Sequence, residues 1–276
     1  MGDTTSLDTF EQRHMIPVRL GSRTTMIGEE VVGLMEVRAP AVSHGALRAS
    51  AVLNLADIVG PIASDRRTDV WTFTSSLAVH VPATPAPERL EGRVRILRSG
   101  RRSSTIEVSV TLPDGTPWAV AIAGFTQVPV REGDPEKPLP DLGQMDALWR
   151  LVEPLEQDFA EACGVRSIDP SAGLVEVDLF AEILNPAGAL HGAVIGLIAE
   201  CSAQDLATHH LGAPQIVTDL DVHFLSQARI GPVRATSRFV GDPRQRIIVT
   251  ELVDLGRPDA IVATVTASTA DAPATD

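Results

Sequence analysis

The sequence predicts an α+β chain built from two tandem copies of one unit, in which an antiparallel sheet wraps a single helix. Three observations predict it: an internal repeat, a shared order of elements in the two halves, and one nearly all-apolar helix in each half. Gly45-Ala46-Leu47-Arg48 lies over Gly188-Ala189-Leu190-His191 at an offset of 143 residues. The same offset sets Ala56-Asp57 over Ala199-Glu200, and Leu77, Val79 and His80 over Leu220, Val222 and His223. Upstream, Gly33-Leu34-Met35-Glu36-Val37 matches Gly173-Leu174-Val175-Glu176-Val177 after a three-residue gap. Single matches of this kind are common in an Ala/Leu/Val-rich chain, but four in chain order mark a duplication.

Each half then reads in the same order. A first strand falls at about 30–41 and about 172–181, by alternation or continuous apolarity. A helix follows at about 46–63 and about 189–210, rich in Ala, Leu and Ile. Four strands come next, at about 69–82, 89–99, 104–112 and 116–127, matched by about 214–225, 232–240, 246–255 and 260–269. Turn signals such as Pro113-Asp114-Gly115 and Asp242-Pro243 separate them. The domains are expected at 1–130 and 144–276, joined by a proline- and acid-rich linker at 131–143. Residues 144–163 read as a helix opening the second half, bent or broken at Pro154. A helix apolar all round must be buried, so the sheet is expected to wrap it. One such layer leaves a sheet edge open; two copies placed edge to edge cover it and form an intrachain pseudo-dimer.

Composition narrows the function classes. At 276 residues with 44% apolar and 21% charged side chains, a packed core is within reach and wholesale disorder is disfavoured. The net charge of −13 argues against nucleic acid as a partner, since phosphate contacts call for a basic face. No apolar run approaches the ~20 residues of a membrane helix. The N-terminal MGDTTSLDTFEQRHM lacks the base-then-apolar pattern of a secretory signal, so a cytoplasmic location is expected. Two cysteines, Cys163 and Cys201, are too few for a disulfide framework or a cysteine-built zinc site, and no metal is expected.

The chemically loaded stretch is Asn185-Pro-Ala-Gly-Ala-Leu-His191-Gly192-Ala193, with Glu200 nine residues after the histidine. Here the sequence resembles the hotdog-fold acyl-CoA thioesterases of the PaaI and 4-hydroxybenzoyl-CoA thioesterase type. Their signature is an Asn, five residues, His-Gly-Gly, and an Asp or Glu eight residues past the first of those glycines. Asn185, His191, Gly192 and Glu200 match it, with Ala193 in place of the second glycine. The strand Val217-Thr-Asp-Leu-Asp-Val-His-Phe-Leu-Ser226 also looks like the one that follows the helix in that family. The resemblance implies a tandem double hotdog that hydrolyses acyl-CoA, with no cofactor beyond the coenzyme A of the substrate. It also leaves room for pairing of whole chains as a homodimer.

The residues support the same chemistry on their own terms. Thioester hydrolysis needs donors for the developing oxyanion and a carboxylate to activate water. Gly192 at a helix start offers an unsatisfied backbone N–H where the dipole favours negative charge, and the Asn185 amide is a possible second donor. Gly192 and Glu200 lie about 12 Å apart on one helix, too far to meet one thioester. Two antiparallel helices bring the start of one against the middle of the other, so each site is expected to mix the halves. Site one then takes Asn185 and Gly192 from the second half and Asp57 from the first. In the resembled family a strand hydroxyl helps position the water, and at offset 143 from Val217 this chain has Thr74. Site two takes Val42, Arg48 and Ala49 in place of Asn, His and Gly, then Glu200 and Val217, and looks eroded or repurposed.

Each residue also has a plainer role open to it. Asp57, within Leu-Asn-Leu-Ala-Asp-Ile-Val-Gly, needs a task or a partner to offset burial, and a structural hydrogen bond serves as well as catalysis. His191 fits a structural role at the helix start better than proton transfer, and Asn185 is as suited to a turn before Pro186 as to donation. Arg48 suits a substrate phosphate or a structural ion pair. Arg244, Arg246 and the arginines within 98–102 suit the phosphates of coenzyme A or a solvated face. Cys201 reads as core, with no base placed for it. Two alternatives to the thioesterase remain: a non-catalytic acyl-CoA-binding protein on the same scaffold, and a hotdog hydratase or dehydratase, for which no Asp and His pair stands in the helix-entry loop.

Overall fold

The computed structural model describes residues 13–64, 70–132, 149–257 and 259–274. In the first half a short helix, α1 (Ile16–Arg19), leads into the hairpin β1 (Ser22–Ile27) and β2 (Glu30–Glu36). A small ribbon, β3 (Val42–Ser43) with β4 (Ala46–Leu47), precedes the long helix α2 (Ala49–Ser64). Then come β5 (Val70–His80), β6 (Arg89–Ser99), β7 (Ser103–Thr111) and β8 (Pro117–Pro129). The second half repeats the plan with α3 (Phe159–Ala162), β9 (Arg166–Asp169), β10 (Leu174–Val177) and the long helix α4 (Gly192–Leu211). It ends with β11 (Gln215–Phe224), β12 (Val233–Phe239), β13 (Ile247–Asp254) and β14 (Ile261–Asp271).

Twelve strands form one antiparallel sheet in the order β1-β2-β6-β7-β8-β5-β11-β14-β13-β12-β10-β9. The halves join where Ser76–His80 of β5 pairs with Asp219–His223 of β11. Ala78 stands opposite Asp221, its own counterpart in the repeat, so a pseudo-twofold axis runs between them. Pairing edge to edge removes one open edge from each half, as the repeat predicts. The outer edges are the short strands β1 and β9, which the alternation pattern did not reveal.

Each long helix is sunk into its half of the sheet. Ala51, Val52, Leu53, Leu55, Ala56 and Val59 of α2 are fully buried, which is why a helix without a polar face is tolerated here. Two glycines make room for it. Gly33 of β2 lies directly opposite Gly92 of β6, and a Cβ on Gly33 would come within 2.9 Å of Leu55 Cδ1. The pairing register also corrects the upstream repeat match. Gly33 faces Gly92, whereas Val175 faces Ala235, the residue 143 beyond Gly92; the likeness of Gly33 to Gly173 is therefore two residues out of step.

The helices α2 and α4 pack on each other in opposite directions. Ala49 at the start of α2 meets Glu200 in the middle of α4. Leu53 meets Gly196, where a Cβ would lie 2.9 Å from Leu53 Cδ1. Asp57 meets Gly192 at the start of α4. Each meeting joins a residue to the counterpart of one placed symmetrically about Leu53 and Gly196, so the axis through the sheet also passes through the helix crossing.

One expected element differs. Of the helix expected at 144–163, residues 144–148 lie outside the described residues, as does most of the expected linker at 131–143. Trp149 is helical, and from the turn at Arg150 and Leu151 onward the chain is an irregular strap tied to α1, with Leu155 N–H donating to Arg19 O at 2.8 Å and Arg19 Nε donating to Glu153 O at 3.1 Å. Pro154 cannot continue a helix, and a helix resumes only as α3, where Asp158 caps the Ala160 and Glu161 N–H groups. Among the described residues no helix is long and apolar enough to cross a membrane.

At the crossing a leucine fills the space that its glycine counterpart vacates. Gly196→Leu overpacks this point and lowers unfolding stability by roughly 1–3 kcal/mol. The swapped pair Leu53→Gly with Gly196→Leu recovers part of that loss, because the shape is complementary again. Denaturant unfolding of the two single variants and the double one measures this coupling.

Candidate functional site

The cavity beside Gly192 arises where the two central strands part. Toward its N-terminal end β5 runs on as Val70–Ser75, paired with β8, while β11 ends at Phe224 and the chain turns away, Leu225 N–H bonding Val262 O. In the fork lies a cavity of about 450 Å³ whose wall includes Asp57, Pro61, Trp71, Phe73, Thr74, Asn185, His191, Gly192 and Phe224. The Trp71 and Phe73 rings stack with centroids 5.9 Å apart. Five of the six residues proposed from sequence as catalytic meet here, and each is contributed by the element the repeat assigned it to.

Asp57 comes from the third turn of α2, its side chain 10% exposed. Thr74 Oγ1 donates to its Oδ1 at 2.8 Å. Oδ2 faces the start of α4: a Cβ on Gly192 would lie 2.9 Å from it. This gives the glycine a reason that sequence did not supply. Any residue at a helix start offers a backbone N–H; only glycine leaves space for the carboxylate beside it. The Gly192 N–H itself has no acceptor among the described residues, whereas the next three N–H groups all bond His191. An unpaired donor at the positive end of a twenty-residue helix thus lies next to a partly buried carboxylate.

His191 is the N-cap of α4. Its Nδ1 accepts the Ala193 N–H at 3.1 Å and lies 3.8 Å from Asp57 Oδ2. With that lone pair in use, the neutral ring carries its proton on Nε2. Burial holds the imidazole below its ordinary range, against the pull of Asp57. Asn185 makes a turn: its Oδ1 accepts the Ala187 and Ala189 N–H groups at 3.0 and 3.2 Å, an Asx arrangement that shapes the loop leading to Gly192. Its Nδ2 makes no hydrogen bond to a described residue, and the side chain lines the cavity.

At the opposite end of the helix pair Glu200, the sixth residue expected to be catalytic, is bonded to a helix start and does not line the cavity. Glu200 is 1% exposed, with Oε1 on Ala49 N–H at 2.9 Å and Oε2 on Ser50 N–H at 3.1 Å. It caps α2 from the other helix, because Arg48, at the position equivalent to the capping His191, has no acceptor. Burial pushes its carboxyl above the ordinary range, opposed by Arg48 and by the two N–H groups. Gln204, the counterpart of Pro61, bridges Ser43 Oγ and Gln215 O and fills the gap between loop and strand. Arg48, expected to meet a substrate phosphate or a structural ion pair, is buried and paired with Asp158 Oδ2 at 3.0 Å. A second cavity of about 490 Å³ sits at this end, bordered by Arg48 and Gln204 as well as His44, Cys201, Asp205 and His209, but not by Glu200 or Ala49. Burial raises the Cys201 thiol to about 12, which leaves it protonated and unreactive.

Arg244 and Arg246, expected to meet the phosphates of coenzyme A, stand apart from both cavities. They lie on the turn from β12 to β13. Arg244 is held by Asp242 and Arg246 by Asp271, each at 2.7 Å. The repeat places this turn at the closed end; its first-half counterpart, the β6–β7 turn with Arg98, Arg101 and Arg102, is the one beside the open cavity. The wall formed by Trp71, Phe73 and Phe224 was missed, because the strand alternation that sorts inward from outward residues lapses where β5 leaves β11.

Comparison with solved structures gives the same architecture. The chain is similar to an acyl-ACP thioesterase from Bacteroides thetaiotaomicron (12% identity, TM-score 0.57, covering 87% of this chain and 97% of that one). It is also similar to the tesB protein of Mycobacterium avium subs paratuberculosis (14%, 0.58, 94% and 98%) and to a hot dog fold protein of Alicyclobacillus acidocaldarius (11%, 0.58, 94% and 98%). No family model matches the chain, and no curated protein matches it. At these identities the likeness defines the fold: this is a double hotdog.

The cap at His191 has a measurable pH signature. His191→Ala removes the acceptor for Ala193 N–H and costs about 1 kcal/mol, whereas His191→Asn keeps an acceptor and most of that stability. Because the folded-state value lies below the ordinary one of 6.5, the cap contributes in full above that pH and is lost as pH falls through the lowered value. Denaturant titrations from neutral to mildly acidic pH show this loss in the native chain; the His191→Asn variant lacks it.

Proposed function

We propose that the chain is an acyl-CoA thioesterase of the PaaI type with one working site, at the open end of the helix pair. The observation that carries this reading is the Asp57 carboxylate set against the unpaired Gly192 N–H at the wall of a cavity. In this reading the thioester carbonyl oxygen points at Gly192 N–H, with Asn185 Nδ2 as second donor. Asp57, oriented by Thr74, takes a proton from a water as its oxygen bonds to the carbonyl carbon. The negative charge that gathers on the carbonyl oxygen is held by the N–H and the helix dipole. The tetrahedral intermediate then collapses, the carbon–sulfur bond breaks, and the thiolate leaves with the electron pair and takes up the proton. The products are the free acid and coenzyme A, and no cofactor or metal enters the balance. Both halves supply parts, so one chain makes a complete site, and pairing of whole chains is not needed for it.

Incubating the protein with a panel of acyl-CoAs and a thiol reagent tests the reading. Asp57→Asn lowers kcat by about 10²–10⁴-fold, the usual range for loss of a general base, while Glu200→Gln keeps most of the activity. The reverse ranking overturns the assignment. Tight binding of acyl-CoA without thiol release indicates a binding protein on the same scaffold. Asp57→Glu gives a second test, because Glu200 shows what a carboxylate one methylene longer does at this place. It reaches the helix N–H groups, occupies the oxyanion donor, and lowers kcat by about 10²–10³-fold with the fold intact by circular dichroism.

A further inference from the structure

We propose that the second cavity, beside Arg48, is a binding site for a small zwitterion of the amino-acid class, with Arg48 receiving the carboxylate and Asp205 the ammonium. The inference stands apart from the hydrolytic reading and uses residues that play no part in it. Placement is the first argument. The loops leading to α2 and α4 are in register, since Gly45 and Gly188 both take a positive φ, 81° and 71°. Ser43, His44, Arg48 and Gln204 border the second cavity. Their counterparts at offset 143 are Pro186, Ala187, His191 and Pro61, and all four line the open cavity. The chain therefore keeps the outer part of a second cleft, about 490 Å³ in volume, while Glu200 is bonded away from it on the start of α2.

Chemistry is the second argument. After Asp57, α2 carries Ile58, Pro61 and Ile62; at the same places α4 carries Cys201, Gln204 and Asp205, all three on the cavity wall. That wall holds opposite charges with unused bonding capacity. Arg48 is 8% exposed and bonds Asp158 through Nη2; its Nε and Nη1 meet no acceptor among the described residues. Asp205 takes one bond, from the Ser167 hydroxyl to Oδ2, and burial raises its carboxyl. The two charges do not pair with each other, yet both act on the Cys201 thiol: burial raises it most, Arg48 lowers it and Asp205 raises it. Asp205 lies one helical turn beyond Cys201, about 6 Å along the axis. Receptors that far apart, with a hydrogen bond of about 3 Å at each end, suit a carboxylate and an ammonium on the same carbon or on neighbouring ones. A simple anion meets Asp205 and a simple cation meets Arg48, each unfavourably; a zwitterion satisfies both. The hydroxyls of Ser43 and Thr208 add neutral partners on the same wall.

The test is calorimetric titration of the protein with the common L-amino acids and β-alanine, and with acetate and ethylamine as the two half-ligands. At least one zwitterion binds about tenfold or more tightly than either half-ligand, the usual gain from one added hydrogen bond to a charged group. Asp205→Asn, which keeps the shape and an acceptor for Ser167, weakens that ligand about tenfold. Cys201→Ile/Asp205→Ile gives α4 the side chains that α2 carries at these places, and it abolishes binding with the circular-dichroism spectrum retained. Asp57→Asn, at the open cavity, binds the ligand as the native chain does. No response to any zwitterion overturns the site, as does acetate or ethylamine binding equally well, or binding that survives Asp205→Asn unchanged. Loss in Asp57→Asn but not in Asp205→Asn also overturns it and moves the ligand to the open cavity. The thioesterase reading stands or falls separately, on the thiol assay.

Discussion

The antiparallel crossing of the two long helices is the constraint on which the rest depends. Neither helix has a polar face, so each must be buried by its own half of the sheet and by the other helix. The fit at the centre is a leucine over a glycine, Leu53 on Gly196, which lets the axes approach closely. From that point the geometry fixes both ends. The start of each helix, with its unsatisfied N–H groups, falls opposite the fourth residue past the centre of its neighbour, and whatever side chain stands there meets a set of unpaired donors.

The two ends answer that juxtaposition differently, and the difference is one methylene. Glu200 is long enough to bond Ala49 and Ser50 directly, and it turns the donors into part of the core. Asp57 stops short, is held by Thr74 from the strand side, and leaves the Gly192 donor unused. The neighbours follow suit. At the closed end Gln204 ties loop to strand and Arg48 is neutralised by Asp158; at the open end Pro61, with no side-chain donor, lines a cavity. A buried carboxylate is costly unless it is bonded, and the closed end meets that cost with two backbone bonds.

Much of this was legible in the sequence, for identifiable reasons. The central strands and both long helices were found close to their true bounds because turn residues punctuate them and because each half confirmed the other. The cross-half pairing of Asp57 with Gly192 followed from helix rise and the need for two groups at one atom. The edge strands β1 and β9 were not found: Ser22–Ile27 is largely polar and Arg166–Asp169 is fully exposed, so neither carries an alternation. The helix expected at 144–163 ends among the described residues at Trp149, ahead of Pro154, and contacts to Arg19 hold the strap that follows. Glu200 carried the family-like spacing and yet belongs to the closed end, since spacing along one chain does not show which N–H groups a carboxylate reaches.

Fusion of the two units into one polypeptide has a consequence for how such a scaffold changes over time. In a symmetric homodimer every substitution is imposed on both ends at once, so a carboxylate long enough to seal one end seals the other. Here the ends are encoded separately. One has become a fastening that anchors the helix pair, and its twin is freed from that duty and keeps an underbonded arrangement that a twofold-symmetric assembly would have to carry twice.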